Sequence, residues 1–340
     1  MTLAQDIKQK ALQLGFDLVG ITDASPLNNE QFELFTDWLA LGYAGRMGYM
    51  RENLDKRINP AKLLKNAQSI ICVGLNYTPA RLLSLRASLS DARQSPLQHT
   101  VQPVGTVANY ARYEDYHPFI KKQLRKLNDF IASIAGTGFN FKICVDSAPL
   151  AERTLAARAG LGFIGKNRML INPELGPQIL LGEIVTSLKL QTDEPNFCHS
   201  ERSEESIGLT KTNCSDCNKC LSACPTGALR PDGRFDANKC ISYLTIEYKG
   251  EIPADLAQKI GGRLFGCDEC VLACPHYANT PVCKNRQFKF YNDRSKLNLH
   301  RILNMTDDDF EAEFADSAFM RLGLDRLKRN AQTCLNNITY

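Results

Sequence analysis

Apolar positions along the first 190 residues switch between a helical spacing and continuous runs of strand type. Leu3, Ile7, Ala11 and Leu14 mark one helical face, FDLVGI from Phe16 reads as a strand, and NEQFELFTDWLA from Asn29 returns to helix. SIICVGLNY, starting at Ser69, is an unbroken apolar run of strand length. HPFIKKQLRKLNDFIASIAG is a long amphipathic helix, and its closing glycine, Gly136, fits a stop. FKICV, PLAERTLAARAG and QILLGEIVTSLKL continue as strand, helix and strand. The pattern predicts an α/β or α+β domain. No GxGxxG or GxxxxGK motif opens any of these helices, which gives a nicotinamide or ATP site little support. Gly160, Gly162 and Gly165 of GLGFIGKN do spell GxGxxG, but they follow a helix instead of a strand and are read as a loop.

The periodicity breaks down in two places. Ala80 to Val104 is polar and aperiodic, and Asn196 to Thr212 (NFCHSERSEESIGLTKT) is charged and serine-rich. Both read as inserted surface loops. Cys198 and His199 in the second are a lone pair in a charged loop and are read as bystanders, not as a metal site.

Composition narrows the class. With 44% hydrophobic and 23% charged residues, and no apolar run near the roughly 20 residues that span a bilayer, the chain is expected to be a soluble, cytoplasmic protein with no membrane partner. A net charge of +4 permits an anionic partner such as RNA without demanding one. The N-terminus, MTLAQDIKQK, has no apolar secretory segment, and a chain of 340 residues buries a core without disulfide staples. The thiols are therefore expected to be reduced.

Thirteen cysteines are unusual under those conditions, and eight of them fall between Cys214 and Cys274. CSDCNKCLSACP follows the bacterial ferredoxin pattern CxxCxxCxxxCP, in which three close thiolates grip one [4Fe-4S] cubane and the fourth reaches the other. The second run, CDECVLACP from Cys267, lacks one thiol, which Cys240 in NKCISYL can supply. The expected ligands are Cys214, Cys217, Cys220 and Cys274 for one cluster and Cys224, Cys240, Cys267 and Cys270 for the other. Two alternatives stay open: a pair of structural zinc sites, which leaves the CP at the end of both runs unexplained, and Cys283 in place of Cys240.

KRINP (from Lys56), ARYEDYH (from Ala111), VDSAPLAER (from Val145), AGLGFIGKNRMLINPELG (from Ala159), LGEIVT (from Leu181), CISYLTIE (from Cys240) and the two cysteine runs occur in an order that resembles the epoxyqueuosine reductases, up to about Asn336. These are iron-sulfur and cobalamin enzymes of the last step of queuosine synthesis on tRNA. The resemblance implies an α+β fold: a cobalamin-binding, nitroreductase-like domain over residues 1–192, a charged loop over 193–212, a ferredoxin-like double-cluster domain over 213–285 and a helical tail over 286–340. It implies base-off cobalamin, a tRNA with a GUN anticodon as substrate, a ferredoxin or flavodoxin as electron donor, and a monomer. Cob(I)alamin is a strong nucleophile, and low-potential cubanes suit one-electron delivery to it. Longer members carry a C-terminal helical-repeat extension, and members generally lack the two insertions. Two other readings remain beside it: an electron-transfer subunit, which leaves VDSAPLAER unexplained, and a corrinoid reductive dehalogenase.

The same resemblance assigns candidate site residues. Asp146, between strand FKICV and Pro149, would from the residues alone be a helix cap; the resemblance makes it the general acid, its pKa raised by desolvation under a corrin ring. Arg57, Tyr110, Arg112, Lys166, Asn167, Met169, Leu170, Leu181, Ser242 and Tyr243 are candidate corrin neighbours by motif, each also compatible with plain packing or surface roles. Asp115-Tyr116-His117 begins like the DxHxxG of base-off mutases, but Ile120 replaces the glycine, so no histidine is expected on cobalt. Lys284, Arg286, Lys289 and Arg294 are candidates for tRNA phosphate contact.

Overall fold

The computed structural model describes residues 2–80, 102–194 and 214–338; the loop predicted over 196–212 and most of the one over 80–104 lie outside them. In chain order the strands are β1 (Leu18–Asp23), β2 (Ser69–Asn76), β3 (Val104–Val107), β4 (Phe141–Cys144) and β5 (Phe163–Ile164). They continue with β6 (Leu170–Ile171), β7 (Ile179–Thr186), β8 (Arg263–Phe265) and β9 (Lys296–Asn298).

The main sheet has the order β1-β2-β7-β4, and every neighbouring pair is antiparallel. This decides the open class in favour of α+β. Helices Leu3–Gln13 and Tyr116–Ala135 cover one face, where Ile7, Ala11, Ile120 and Leu124 pack on Ile71, Val73 and Ile184. Helix Glu152–Arg158 covers the other, with Leu155 and Ala156 against Ile70, Cys72 and Val185. Because both faces are covered, every residue of β2 and β7 is buried, and that is why these strands read as unbroken apolar runs instead of alternating ones. Local signals set the helix ends. Asn28 caps the helix Asn29–Ala40, Asp115 caps Tyr116–Ala135, and Gly136 at φ 80° ends the latter.

The segment read as a glycine loop is a small hairpin, β5–β6. A Cβ on Gly162 would meet the Ile171 carbonyl oxygen at 2.3 Å, and one on Gly165 would meet Ile171 Cδ1 at 2.4 Å, so these glycines serve close packing and not phosphate binding. Val104, assigned to the end of the first insertion, instead opens β3. That strand pairs parallel with β8 and antiparallel with β9, tying the chain before Tyr110 to segments more than a hundred residues later.

A second core gathers around this small sheet. Val107 and Ala111 pack with Ile241, Leu244, Leu264, Phe265, Phe314, Phe319 and Leu327. The last helix, Leu324–Ile338, also holds the segment after Cys240 through its carbonyl groups. Arg329 donates to the carbonyls of Leu244, Tyr248 and Gly250, Arg326 to that of Ile246, and buried Asn330 to those of Thr245 and Leu264 at 2.7 and 3.1 Å. These bonds satisfy carbonyls that the π-helical turn Tyr243–Glu247 leaves irregular. Asn330→Ala should therefore destabilise the protein by roughly 1–3 kcal/mol. A denaturant melt checks this, and an unchanged midpoint would remove Asn330 from the set of anchoring contacts.

Candidate active site

Asp146 follows β4 by two residues and has a left-handed backbone, φ 55°. It caps no helix: the N-cap of Glu152–Arg158 is Ala151, and no side chain caps it. The bond runs the other way. The Asp146 backbone N–H donates to Glu152 Oε1 at 2.5 Å, which leaves the Asp146 carboxyl free to face outward, its side chain 58% exposed.

Behind that carboxyl stands His117, which motif reading weighed only as a cobalt ligand. Its Nε2 lies 3.2 Å from Asp146 Oδ2 and its Nδ1 lies 2.6 Å from Asp115 Oδ1. Asp115 also accepts the His117 backbone N–H at 3.0 Å, so the residue that caps the helix also orients the ring. Burial alone would depress the His117 pKa, but the two carboxylates outweigh it and raise it above the ordinary value. Burial is likewise the largest influence on Asp146 and pushes its pKa up; His117, Tyr116 and Arg153 together outweigh it, and the carboxyl lies below its ordinary range. The expected upward shift of Asp146 is thus reversed in the chain alone. The proton of the pair rests on His117.

The groups that feel the Asp146 charge come from distant parts of the chain. Tyr49, Arg57, Tyr110, Tyr116, Glu152, Arg153 and Glu247 ring it. Burial first, then Glu247 and Asp146, push Tyr49 up to about 12. The exposed Asp146 carboxyl thus stands among charged and phenolic groups from several elements. Arg57 donates to the Leu150 carbonyl at 3.3 Å, and its buried Nε has no partner among the described residues. Of these groups, sequence reasoning named Arg57 and Tyr110; Tyr49 carried no local signal, while Tyr116 and His117 of ARYEDYH and Glu247 of CISYLTIE stood inside quoted motifs without these roles. Glu152 and Arg153 stood inside the quoted VDSAPLAER motif.

The eight clustered cysteines are all free thiols, and they separate into two neighbourhoods. Burial and then Cys214, Cys217 and Cys274 raise the Cys220 thiol; burial and then Cys240, Cys267, Asp268 and Cys224 raise that of Cys270. Backbone N–H groups point at the sulfurs. Lys166 N–H donates to Cys214 Sγ at 3.4 Å, and the N–H groups of Ser242 and Tyr243 bond Cys240. On Cys224 burial is the largest influence and raises the thiol, yet bonds from Leu229, Thr226 and Ala228 hold it below its usual value. Four thiols per neighbourhood with N–H donors to sulfur is a donor set that fits cubane iron-sulfur clusters. Cys283 lies apart, beside Tyr113 and Asp17. Arg153 links the second neighbourhood to this group of residues, since its charge acts on both Cys240 and Asp146.

Comparison with known proteins agrees with this geometry. Residues 57–147 match the family model "Epoxyqueuosine reductase QueG, DUF1730", and residues 213–277 match the "4Fe-4S double cluster binding domain". The epoxyqueuosine reductase of Vibrio cholerae is 33% identical over 99% of this chain and 84% of its own, and that of Escherichia coli is 34% identical over 99% and 82%. The chain belongs to the epoxyqueuosine reductase family. It is accordingly an oxidoreductase with a double [4Fe-4S] module. A crystal structure of epoxyqueuosine reductase with an epoxyqueuosine-modified tRNA-Tyr stem loop superposes with TM-score 0.83 at 29% identity, over 98% of this chain and 81% of that one. A Bacillus subtilis epoxyqueuosine reductase with its catalytic aspartate loop swung out of the active site gives 0.82 at 29% identity, over the same shares of the two chains.

The remaining motif residues of this epoxyqueuosine reductase family member divide by environment. Lys166 Nζ donates to the Ser215 carbonyl and Asn218 Oδ1 at 2.8 and 2.9 Å, and Asn167 Nδ2 to the Cys270 carbonyl at 3.3 Å, so the β5–β6 hairpin clasps both cysteine runs. Met169 N–H bonds Asn167 Oδ1 at 3.1 Å. Leu170 and Leu181 sit in the core under the sheet. The Tyr243 hydroxyl accepts the Arg46 N–H at 2.7 Å. Arg112, beside Asp268, donates to Asn109 Oδ1 at 3.3 Å and lies 4.8 Å over the Phe290 ring. In the tail, Lys284, Arg286 and Lys289 are exposed. Arg294 is buried against Asp316 at 2.9 Å and over the Tyr291 ring, which removes it from any phosphate contact.

Proposed function

We propose that this chain reduces epoxyqueuosine to queuosine at the wobble position of GUN-anticodon tRNA, with base-off cobalamin in the cleft above Asp146 and electrons arriving through the two clusters. The observation that carries the reading is the exposed Asp146 carboxyl, backed by the His117 ring and flanked, through Arg153, by the Cys240 neighbourhood. The cleft suits a flat macrocycle bearing amide arms: Tyr49, Tyr110 and Tyr116 offer aromatic surface, and Arg57 has an unpartnered Nε. When bound, reduced cobalamin supplies the nucleophile for the strained epoxide carbon. Cys214, Cys217, Cys220 and Cys274 would hold the outer cluster and Cys224, Cys240, Cys267 and Cys270 the one nearer Asp146.

Removing the epoxide oxygen as water takes two electrons and two protons. Asp146 takes the proton of the pair from His117 Nε2 and hands it to the opening epoxide, while Asp115 accepts from Nδ1–H of the neutral imidazole that remains; solvent reprotonates the pair and supplies the second proton. Covering the cleft removes water from Asp146 and moves its pKa back up, toward the value a general acid needs. Its loop is taken to move as substrate enters; in the Bacillus subtilis relative the catalytic aspartate loop is swung out of the active site. A ferredoxin or flavodoxin in the cytoplasm would feed the outer cluster, and Lys284, Arg286 and Lys289 remain available for tRNA phosphate. Among the described residues no helix is long and apolar enough to cross a membrane.

Nucleoside analysis of epoxyqueuosine-containing tRNA, incubated with reduced, cobalamin-loaded protein, is the direct test. Queuosine should appear, and its absence from protein with intact clusters and bound cobalamin would refute the proposal.

The histidine also has a pH signature in stability. His117 is raised above about 6.5 in the folded state, so its pairing contributes fully below that pH and is lost as pH rises through the raised value. Asp115 and Asp146 are depressed, so their share is lost only as pH falls through their lowered values, below about 4. The difference in melting temperature between the natural protein and His117→Asn should be largest between about pH 5 and 6 and shrink toward pH 8. A difference that does not vary with pH would mean that His117 is neutral in the fold.

A further inference from the structure

We propose that Glu152 and Glu183 share one proton and form a latch that holds the Asp146 loop in its working position, an inference that rests on the reading of Asp146 as proton donor. Glu183 lies at the centre of β7, opposite Cys72 of β2 and Cys144 of β4, and is 0% exposed. Neither of its oxygens meets an N–H or O–H donor among the described residues. The carboxyl that acts on it most strongly is that of Glu152, carried by the helix packed on this face of the sheet. Two carboxyl groups can bond only when one carries a proton. With Glu183 as the acid, the Glu152 carboxylate accepts the Glu183 proton and the Asp146 backbone N–H together. That second bond holds Asp146 at φ 55°, a conformation a non-glycine residue keeps only when its surroundings impose it.

The surroundings favour a single proton on the pair. Burial first, then the Asp146 charge, push Glu152 up to about 7, and burial with the Glu152 charge raises Glu183 further. Of the groups facing them, Asp146, Cys72 and Cys144 offer no positive charge. Arg153 lies beside Glu152, and Arg158 lies toward Cys72. When pH rises and the shared proton leaves, two adjacent carboxylates repel each other and Asp146, and the latch opens. The loop that can swing is thus held by a bond whose strength depends on one buried proton.

Two measurements test this, one of them independent of turnover. Amide hydrogen exchange of the peptide carrying Asp146 should quicken roughly tenfold or more in Glu152→Ala, because its N–H loses its acceptor. Single-turnover conversion should fall by a similar factor, with tRNA affinity unchanged. Glu183→Gln, which donates to Glu152 but cannot ionise, should shift the alkaline fall in single-turnover rate upward by about one pH unit or abolish it. If Glu152→Ala fails to fold, Glu152→Gln keeps an accepting oxygen and should preserve the slow exchange while losing its pH step. Unchanged exchange in Glu152→Ala, or an unmoved alkaline limb in Glu183→Gln, overturns the latch. Faster exchange in Glu152→Ala combined with full turnover by Asp146→Asn overturns the proton-donor reading and leaves the latch standing.

Discussion

Asp146→Asn should lower single-turnover conversion of epoxyqueuosine tRNA by roughly 100- to 10,000-fold, the usual loss on removing a positioned general acid, while both clusters, cobalamin binding and the melting temperature survive. The structure makes the substitution conservative in everything except the proton. Asparagine tolerates the left-handed φ of 55° nearly as well as aspartate, keeps the backbone N–H that bonds Glu152, and still presents a polar atom to His117 Nε2. What it cannot do is pass on the His117 proton. A capping role predicts silence for the same variant, and here the helix cap belongs to Ala151. The measurement is conversion by chemically reduced enzyme beside a thermal melt. Near-normal conversion by a stable Asp146→Asn protein would return the residue to a structural part.

Cys240→Ala should reduce the iron content from about eight atoms per chain to about four, because the cluster nearer Asp146 loses a ligand that no neighbouring thiol replaces. Cys224, Cys267 and Cys270 remain around the gap, and Cys283 lies apart, beside Tyr113 and Asp17. The fold should persist, since the Arg329 and Asn330 bonds to the carbonyls after Cys240 involve backbone alone. Turnover should disappear with that cluster. Cys283→Ala and Cys334→Ala should keep full iron; Cys334 is a packing residue of the second core. Iron and sulfide analysis of anaerobically purified protein decides the matter, and retention of eight irons in Cys240→Ala would overturn the crossed assignment.

Short-range chemistry was legible in the residues. The spacing of CSDCNKCLSACP and CDECVLACP specifies its metal because ligands a few residues apart are brought together by local turns, whatever the rest of the chain does. The helices Asn29–Ala40 and Tyr116–Ala135 and the strands β2 and β7 were equally plain, since their caps, stops and apolar runs are read within one segment. The first insertion was drawn one residue too generously on the same basis: Val104 belongs to β3, whose partners β8 and β9 lie far along the chain and leave no mark near it.

What the tertiary structure alone decided is the environment of each charge. Asp146 and His117 are 29 residues apart and meet because one follows the end of β4 while the other lies in the first turn of the helix laid across the sheet. Their meeting reverses the sign of the Asp146 shift expected from burial. Glu183 reads in LGEIVT as one polar residue in an apolar strand, and only burial of both sheet faces makes it a carboxyl without a donor except by sharing a proton with Glu152. Lys166 carries the letters of a cofactor contact, yet packing of the β5–β6 hairpin spends its ammonium on Ser215 and Asn218. A residue's type is local, but its pKa and its partners are set by what the fold brings within a few ångströms, and that information is spread over the whole chain.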